Sequence, residues 1–580
     1  MSIRLHRWIV LSLALFAFGM SAAVSRVVFE RLPHLEDEMA YLFGARTIAR
    51  GHFVVPSVEP TNAYWQPFVI DHEGVRFSKY TPGWSIQLAL GVWLGAEWFV
   101  NAAFAALSVA LTYRLGKALF DRDTALIAAA LIAFSPMAVL LNGSLMGHTT
   151  ALFWTILFLD SYLRLRRTPR RLVWALAAGF ALGMLILSRP LTAIGIAAPF
   201  VVWSMADLAR ALHQRADLLP RVRSFVILSI VALSLAAIIP LYNYQATGDP
   251  TFNLYRLVWD YDRIGFGEGY GRNGHTLEKG VRHARFDLSL TAADLFGWTF
   301  GSVCAQGVFC DAEGMRTDLT GHYLNEADYL EIVGLSWVLL PAALLVTYRK
   351  HAWRAALWLA LGIGILSFPF VFNPDLTSQL EYSGYAWGTV IALMVWACAP
   401  LLVLRDARQA WVWALLAIIL CLLIVHLSYW IGSQRYSTRY YYEALIAAAL
   451  LTALPIAWLM QRLSRRIVYA AFALLMAWSF FGYTLPRVSV LRGYNLISNV
   501  LVEAVESRRE DDQPVLVIIS GTDVRWRAYA ALMAQTSPYL DSPIVAARAS
   551  SPVDRAAVLA RFPGRQVIEM EGRENAAWFP

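Results

Sequence analysis

A group of ionisable residues falls beside the ends of long apolar runs, on what the charge pattern makes one side of the chain. It comprises Asp37 and Glu38, Lys79, His148, Arg189, Asp262, Arg263, His275, Arg435, Arg439 and Glu443. The guanidinium fork matches two phosphate oxygens at once, and a lysine supplies a compact point charge. A carboxylate beside such cations can take the proton of an approaching hydroxyl. The economical chemistry is therefore an acid/base carboxylate, Asp37, facing a cationic cluster that holds a phosphate. At a membrane surface the nearest phosphate belongs to a lipid. Each residue also has a plainer role open to it. Glu36 favours a helix start, Lys79 can snorkel to head groups, His148 can be a turn histidine, and Tyr440–Tyr442 can form an interface belt. Arg189, between Ser188 and Pro190, is costly there unless paired.

Of 580 residues, 58% are hydrophobic and 16% charged, with 22 tryptophans and a mean hydropathy of +0.50. A soluble globular chain has about a quarter charged residues, so this composition predicts a multi-spanning membrane protein. Apolar runs of membrane length number about thirteen, with the N-terminus inside. Lys and Arg crowd residues 114–122, 164–171, 210–223, 349–354, 405–408 and 462–466. The opposite short loops, 142–148, 188–190, 373–386 and 432–443, hold only Arg189, Arg435 and Arg439. The net charge of +8 thus reports orientation and excludes a nucleic-acid reading. Trp8 to Phe29 is long enough to span and is read as the first span rather than a leader. Cys398 and Cys421 fall inside spans as packing residues; Cys304 and Cys310 share an outside loop where a disulfide is open to them.

The elements that must position the chemistry follow from the pattern. Residues 30–82 form an outside loop, and in Pro33–Gly51 the residues Leu35, Met39, Leu42, Phe43 and Ala49 recur at helical spacing, with Gly51 as a stop. This predicts an amphipathic helix lying on the lipid interface, with Glu36 serving its start and Glu38 standing as a partner to Asp37 or a metal contact. A second such helix is expected near 85–95. Residues 243–330 form another outside loop, of a length that usually serves binding or closure. Its glycines (265, 267, 269, 271, 274) lack the strand and helix of a dinucleotide loop. Residues 1–485 read as one membrane domain. Residues 486–580 read as a small α/β module on the outer side, with strands at 514–520, 543–549 and 566–570 and helices at 523–536 and 552–562.

Pro33-x3-Asp37-Glu38-x2-Tyr41-x3-Ala45-Arg46-x4-Gly51 resembles the first outside loop of GT-C membrane glycosyltransferases, of the protein mannosyltransferase and lipid A aminoarabinose transferase branch. Lys79-Tyr80-Thr81-Pro82-Gly83-Trp84 resembles their Lys-Pro-Pro segment, Ser188-Arg189-Pro190 their Arg-Pro turn, and Thr438-Arg439-Tyr440-Tyr441 their late Pro-Arg-Tyr motif. The resemblance implies a polyprenyl-phosphate sugar donor, an inverting single displacement, Asp37 as base, and Lys79, Arg189 and Arg439 at the lipid phosphate. Two departures stand out. Ser78 replaces the acidic residue that precedes the lysine in aminoarabinose transferases, which argues against a metal site built like theirs, while a divalent metal elsewhere stays open. Tyr80 replaces the first proline.

The resulting expectation is a glycosyltransferase of a bacterial inner membrane with a periplasmic active site and a periplasmic C-terminal module. Its acceptor is a glycan, lipid or protein. Arg435 joins the phosphate cations, and Tyr41, His148, Asp262, Arg263, His275, Tyr440 and Glu443 are candidate substrate contacts. Two other classes remain: a transporter or lipid flippase, which calls for repeats and charged, interrupted spans at midplane, and a non-catalytic scaffold of the same fold.

Overall fold

Segments that leave water must close their backbone hydrogen bonds internally, so the long apolar runs become helices. The structure is a computed structural model that describes residues 3–298 and 335–571, apart from 169–170, 216, 350–351, 522–524 and 550. Among these residues ten helices are long and apolar enough to cross a membrane, or eleven if one bent pair counts as a single span. The first is α1 (Ile3–Val27); α2 (Glu36–Ile48) follows in the outside loop. That loop continues through three short antiparallel strands, β1 (Val55–Pro56), β2 (Val69–His72) and β3 (Val75–Ser78), in the order β1-β3-β2.

Helix α3 (Gly83–Trp93) is the expected short helix before the second crossing. The chain breaks at Gly95 (φ 61°) and crosses as α4 (Glu97–Leu119). The bent pair is α5 (Arg122–Phe134) and α6 (Pro136–Gly143), which meet at 53°; Pro136 cannot continue the first helix. Helix α7 (His148–Arg167) is not among the ten. Its buried Asp160 instead receives Arg114 Nη2 at 2.6 Å and Arg164 Nε at 2.8 Å. Then come α8 (Arg171–Ser188), α9 (Pro190–Gln214), and α10 (Leu218–Ala236) with α11 (Ile238–Thr247). The last two read together as one span with little protein around it, leaving Ile230 and Leu233 exposed, as a lipid-facing surface would be. Helix α12 (Leu277–Asp294) lies in the second outside loop. Against the expected thirteen or so, ten or eleven spans are found by composition among the described residues. One difference is α7, and another is the run at 331–347, of which only Leu335–Thr347 is described. Cys304 and Cys310 lie outside the described residues. Cys398 and Cys421 are buried free thiols with their sulfurs 3.6 Å apart.

After the last long helices the chain stays helical through Leu485–Ser489, so the expected boundary at 486 carries no break. A parallel sheet follows, β6 (Val515–Ser520), β7 (Ile544–Arg548) and β8 (Gln566–Glu571), in the order β7-β6-β8. These strands match the sequence expectation within a residue, because short β-branched runs bounded by turns carry a strong signal.

The unexpected feature is where α2 sits. Its residues Leu35, Ala40, Tyr41 and Phe43 belong to the core of the helical bundle. Met39 and Leu42 instead join Leu501, Val505, Val517 and Ile519 in the core beneath the C-terminal sheet. The helix expected to rest on lipid has protein on both faces. Polar ties reinforce the seam: Arg46 Nη1 donates to Ala534 O at 2.5 Å, and Arg50 pairs with Asp541 at 2.6 Å. A charge placed in this seam has no partner and must be resolvated. Met39→Asp should therefore loosen the C-terminal module from the bundle. Limited proteolysis should cut residues 490–571 faster in the variant while the membrane helices stay protected; unchanged cleavage would contradict the seam.

Candidate active site

The three carboxylates that open α2 point to three environments, because successive helical residues are turned by about 100°. Glu38, the third helical residue, turns back over the helix start. Its Oε2 accepts from His34 N (2.7 Å), Leu35 N (3.1 Å) and Tyr436 OH (2.8 Å), and its Oε1 from Leu145 N (2.8 Å). This is the carboxylate arm of a capping box. Burial pushes the Glu38 carboxyl up to about 7, against the pull of those four hydrogen bonds. Glu38 does not line the cavity described below, so its expected place beside the reacting groups is corrected to a helix cap. Glu36 stands in the first turn of α2 as expected, and it also lies on the cavity wall, 3.9 Å from Arg527.

Asp37 faces the cavity. Its Oδ2 accepts from Arg439 Nη1 at 2.5 Å, and its Oδ1 accepts from the Tyr80 hydroxyl. Burial alone pushes the Asp37 carboxyl up; the charge and hydrogen bond of Arg439, with Lys79 and Arg435 behind, outweigh it and hold the group below its ordinary value. Asp37 is thus an ionised carboxylate with a paired cation at its side.

Lys79 reaches the cavity from the end of β3. Burial lowers its pKa, opposed by Asp262 and Asp37. Its ammonium lies 3.3 Å from Asp262 Oδ2 and 3.7 Å above the ring of Phe68, with Tyr255 and Trp259 about it, a stabilising aromatic setting for a desolvated cation. Asp262 also accepts from Trp430 Nε1 (2.9 Å) and Tyr429 OH (3.3 Å). The segment 253–264 therefore acts as a wall of the site. The glycines beyond it allow close approach: Gly271 (φ 75°) lies where a Cβ would sit 2.8 Å from Trp430.

Arg189, in the turn between α8 and α9, sits 3.0 Å from Glu443 Oε1 as an ion pair outside hydrogen-bond alignment, and it donates to Thr192 Oγ1 (3.2 Å). Its Nη1 is 3.3 Å from His148 Nδ1. Arg435 and Arg439 flank a tight hairpin, β4 (Gln434–Arg435) and β5 (Ser437–Thr438), whose turn residue Tyr436 has φ 63°. That turn aims Tyr436 at Glu38 and Arg439 at Asp37. One glycine holds two of these loops together: a Cβ on Gly83 would stand 2.5 Å from Leu187 C and Ser188 N, so the Lys79–Gly83 loop touches the backbone of the Arg189 turn.

All these groups converge on a cavity of about 1010 Å³, at the upper end of the ~300–1,000 Å³ usual for ligand sites. Asp37, Tyr41, Lys79, His148, Arg189, Asp262, Arg263, Arg435, Arg439 and Tyr440 line it. Glu443 and His275 do not. Glu443 is buried behind Arg189, and His275 lies against Phe266 with Nε2 2.9 Å from Leu427 O; both are corrected from substrate contacts to supports. Arg263 is on the wall but clamps Asp260 at 3.0 Å. Arg439 Nε and His148 Nε2 are buried without a hydrogen-bond partner among the described residues, leaving donor capacity beside Asp37. Tyr255, Trp259, Tyr429 and Trp430 carry no signal in the sequence that marks them for the site, whereas Tyr80 stands where the family pattern has proline. Among the described residues no group of three or more His, Cys, Asp or Glu could hold a metal ion.

Two outcomes follow from this geometry. Gly83→Ala should lower the unfolding temperature of the purified protein by several degrees, because the two loops that carry Lys79 and Arg189 must part; an unchanged temperature would show that the loops do not depend on this contact. The pH dependence concerns Asp37. Its lowered pKa keeps it ionised above its ordinary 3.8, so its contribution is complete above that pH and lost only as pH falls through the lowered value. Arg439→Gln leaves burial less opposed, so the acid limb of residual activity should move upward in pH. A limb that stays in place would mean that Arg439 does not act on Asp37.

Residues 82–241 match the family model described as dolichyl-phosphate-mannose-protein mannosyltransferase. The match takes in His148 and Arg189 and begins after Asp37 and Lys79. No curated protein matches the chain. Among solved structures, ArnT from Cupriavidus metallidurans bound to undecaprenyl phosphate is 15% identical with a TM-score of 0.44, over 98% of this chain and 90% of that one. The oligosaccharyltransferase AglB from Archaeoglobus fulgidus, in complex with an inhibitory peptide and a dolichol-phosphate, is 16% identical with a TM-score of 0.41. That likeness covers 95% of this chain, which spans 65% of the length of AglB. Both are distant, and the family match stands without them. Over residues 82–241, a little more than a quarter of its length, this chain is similar to that mannosyltransferase family.

Proposed function

We propose that the protein moves one sugar from a polyprenyl-phosphate carrier to a hydroxyl of a glycan, lipid or protein acceptor, at the outer face of a bacterial inner membrane. The observation that carries this reading is the shared position of Arg439. One arm of its fork holds the Asp37 carboxylate at 2.5 Å, and its Nε, buried and without a partner among the described residues, faces no competing acceptor. A base and a phosphate-binding cation are thus one bond apart, as a displacement at a glycosyl phosphate requires. The family description names a polyprenyl-phosphate-linked sugar, which supports the donor class.

In this reaction the acceptor hydroxyl gives its proton to Asp37 as its oxygen bonds to the sugar's anomeric carbon. The bond from that carbon to the phosphate oxygen breaks on the opposite face, so configuration inverts. Lys79, Arg189 and Arg439 take up the charge that grows on the departing lipid phosphate, and Tyr80 and Arg439 fix the carboxylate's direction. Arg435 stands behind them as a further cation on the wall. A transporter calls for charged, interrupted spans at midplane; here the cavity's cations come from loops and helix ends.

Asp37→Asn keeps the shape and removes the base. Transfer from an undecaprenyl-phosphate sugar by the purified variant should fall by about 10²–10⁴-fold, while binding of undecaprenyl phosphate persists. Full transfer by that variant would overturn the assignment.

A further inference from the structure

The cavity has two unlike rims. One is apolar and open, with Ile239, Val258, Ile264 and Ile431 on its wall; Ile264 and Ile431 are exposed. The other is aromatic and polar. It is made by Thr61, Asn62 and Trp65 from the short helical turn Thr61–Tyr64 and its next residue, by Glu36 at the start of α2, and by Trp526. Trp526 is the single residue of the C-terminal module on the cavity wall among the described residues.

Three features of this second rim point to a ligand. Trp65 is 44% exposed although its neighbours Ala63 and Tyr64 are buried against the module's sheet. The side chains of Asn62, Trp65 and Trp526 make no hydrogen bond among the described residues, so an amide and two indole N–H groups are free to bind. Glu36 and Asp37 are consecutive and both line the cavity, which places whatever sits at this rim beside the base. Flat indole faces suit the C–H face of a sugar ring, while a carboxylate, an amide and a hydroxyl suit its hydroxyl groups. An acyl chain finds its match at the other rim, with its exposed Ile264 and Ile431.

We propose that Trp65, Trp526, Asn62 and Glu36 form the acceptor subsite and that the acceptor is a carbohydrate, seated so that one hydroxyl faces Asp37. The inference deepens the transferase reading and rests on it for the word acceptor; carbohydrate binding at the rim stands or falls separately. It also gives the C-terminal module a task. The module completes the subsite with Trp526, and the Arg527–Glu36 approach of 3.9 Å registers it against α2.

The test uses the full chain in lipid nanodiscs with a panel of gluco-, galacto- and rhamno-oligosaccharides, read by saturation-transfer NMR, and with undecaprenyl phosphate in a parallel binding assay. The wild type should transfer saturation to ring C–H protons of at least one oligosaccharide. Trp65→Ala and Trp526→Ala should each lose this signal at least fivefold, Trp65→Phe and Trp526→Phe should restore part of it, and Trp353→Ala, exposed elsewhere, should leave it intact. Undecaprenyl phosphate binding should be unchanged in the Trp65 and Trp526 variants and lost in Lys79→Ala. Oligosaccharide binding that survives Trp65→Ala, or a panel that gives no signal while undecaprenyl phosphate binds, would overturn the subsite. Oligosaccharide binding without undecaprenyl phosphate binding would support the rim and overturn the donor assignment instead.

Discussion

The ion pair between Asp37 and Arg439 is the constraint on which the site depends. Its partners are 402 residues apart in sequence and meet at 2.5 Å in a place largely closed to water. Removing one member of such a buried pair leaves an uncompensated charge and typically costs about 3–5 kcal/mol. The fold must therefore bring the first outside loop and the late hairpin together within tenths of an ångström. The pairing also sets the chemistry, because the same cation that keeps Asp37 ionised has donors left over for an incoming anion.

That accuracy comes from burial on both sides of α2. A helix resting on lipid could slide and roll; one clamped between the bundle and a sheet cannot. Glu38 contributes by fastening the helix start to the loop at Leu145 and to Tyr436, so one residue joins the segments that present Asp37 and Arg439. Supports of this kind separate a working site from one that is merely present. Glu443 does for Arg189 what Asp262 does for Lys79 and Asp37 for Arg439.

Much of this was legible in the chain, for physical reasons that differ by element. Most of the spans and the strands of the C-terminal sheet are short-range patterns and stand where the sequence puts them, α7 being a span that its composition does not support. The convergence of Asp37, Lys79, Arg189 and Arg439 followed from charge in places where charge is expensive. Glu38 turned out to cap the helix and not to join Asp37, since nearby residues on a helix face different neighbours and only tertiary structure says which faces what. Met39 and Leu42 read as a lipid-facing stripe because hydrophobic periodicity cannot distinguish acyl chains from the underside of a sheet. Glu443 reads as a cavity residue because it falls at the end of an apolar run on the same side as the other charges. The segment Arg439–Ala444 is a tight turn of three residues per revolution, which sends Arg439 toward Asp37 and Glu443 behind Arg189.

The most direct measurement is an experimental map of the full chain with undecaprenyl phosphate bound. The phosphate should lie within hydrogen-bond reach of Arg439 and close to Lys79 and Arg189, with the Asp37 carboxylate on the side where an acceptor hydroxyl would arrive. A phosphate seated away from Arg439, with the Asp37–Arg439 pair undisturbed and remote, would contradict the account.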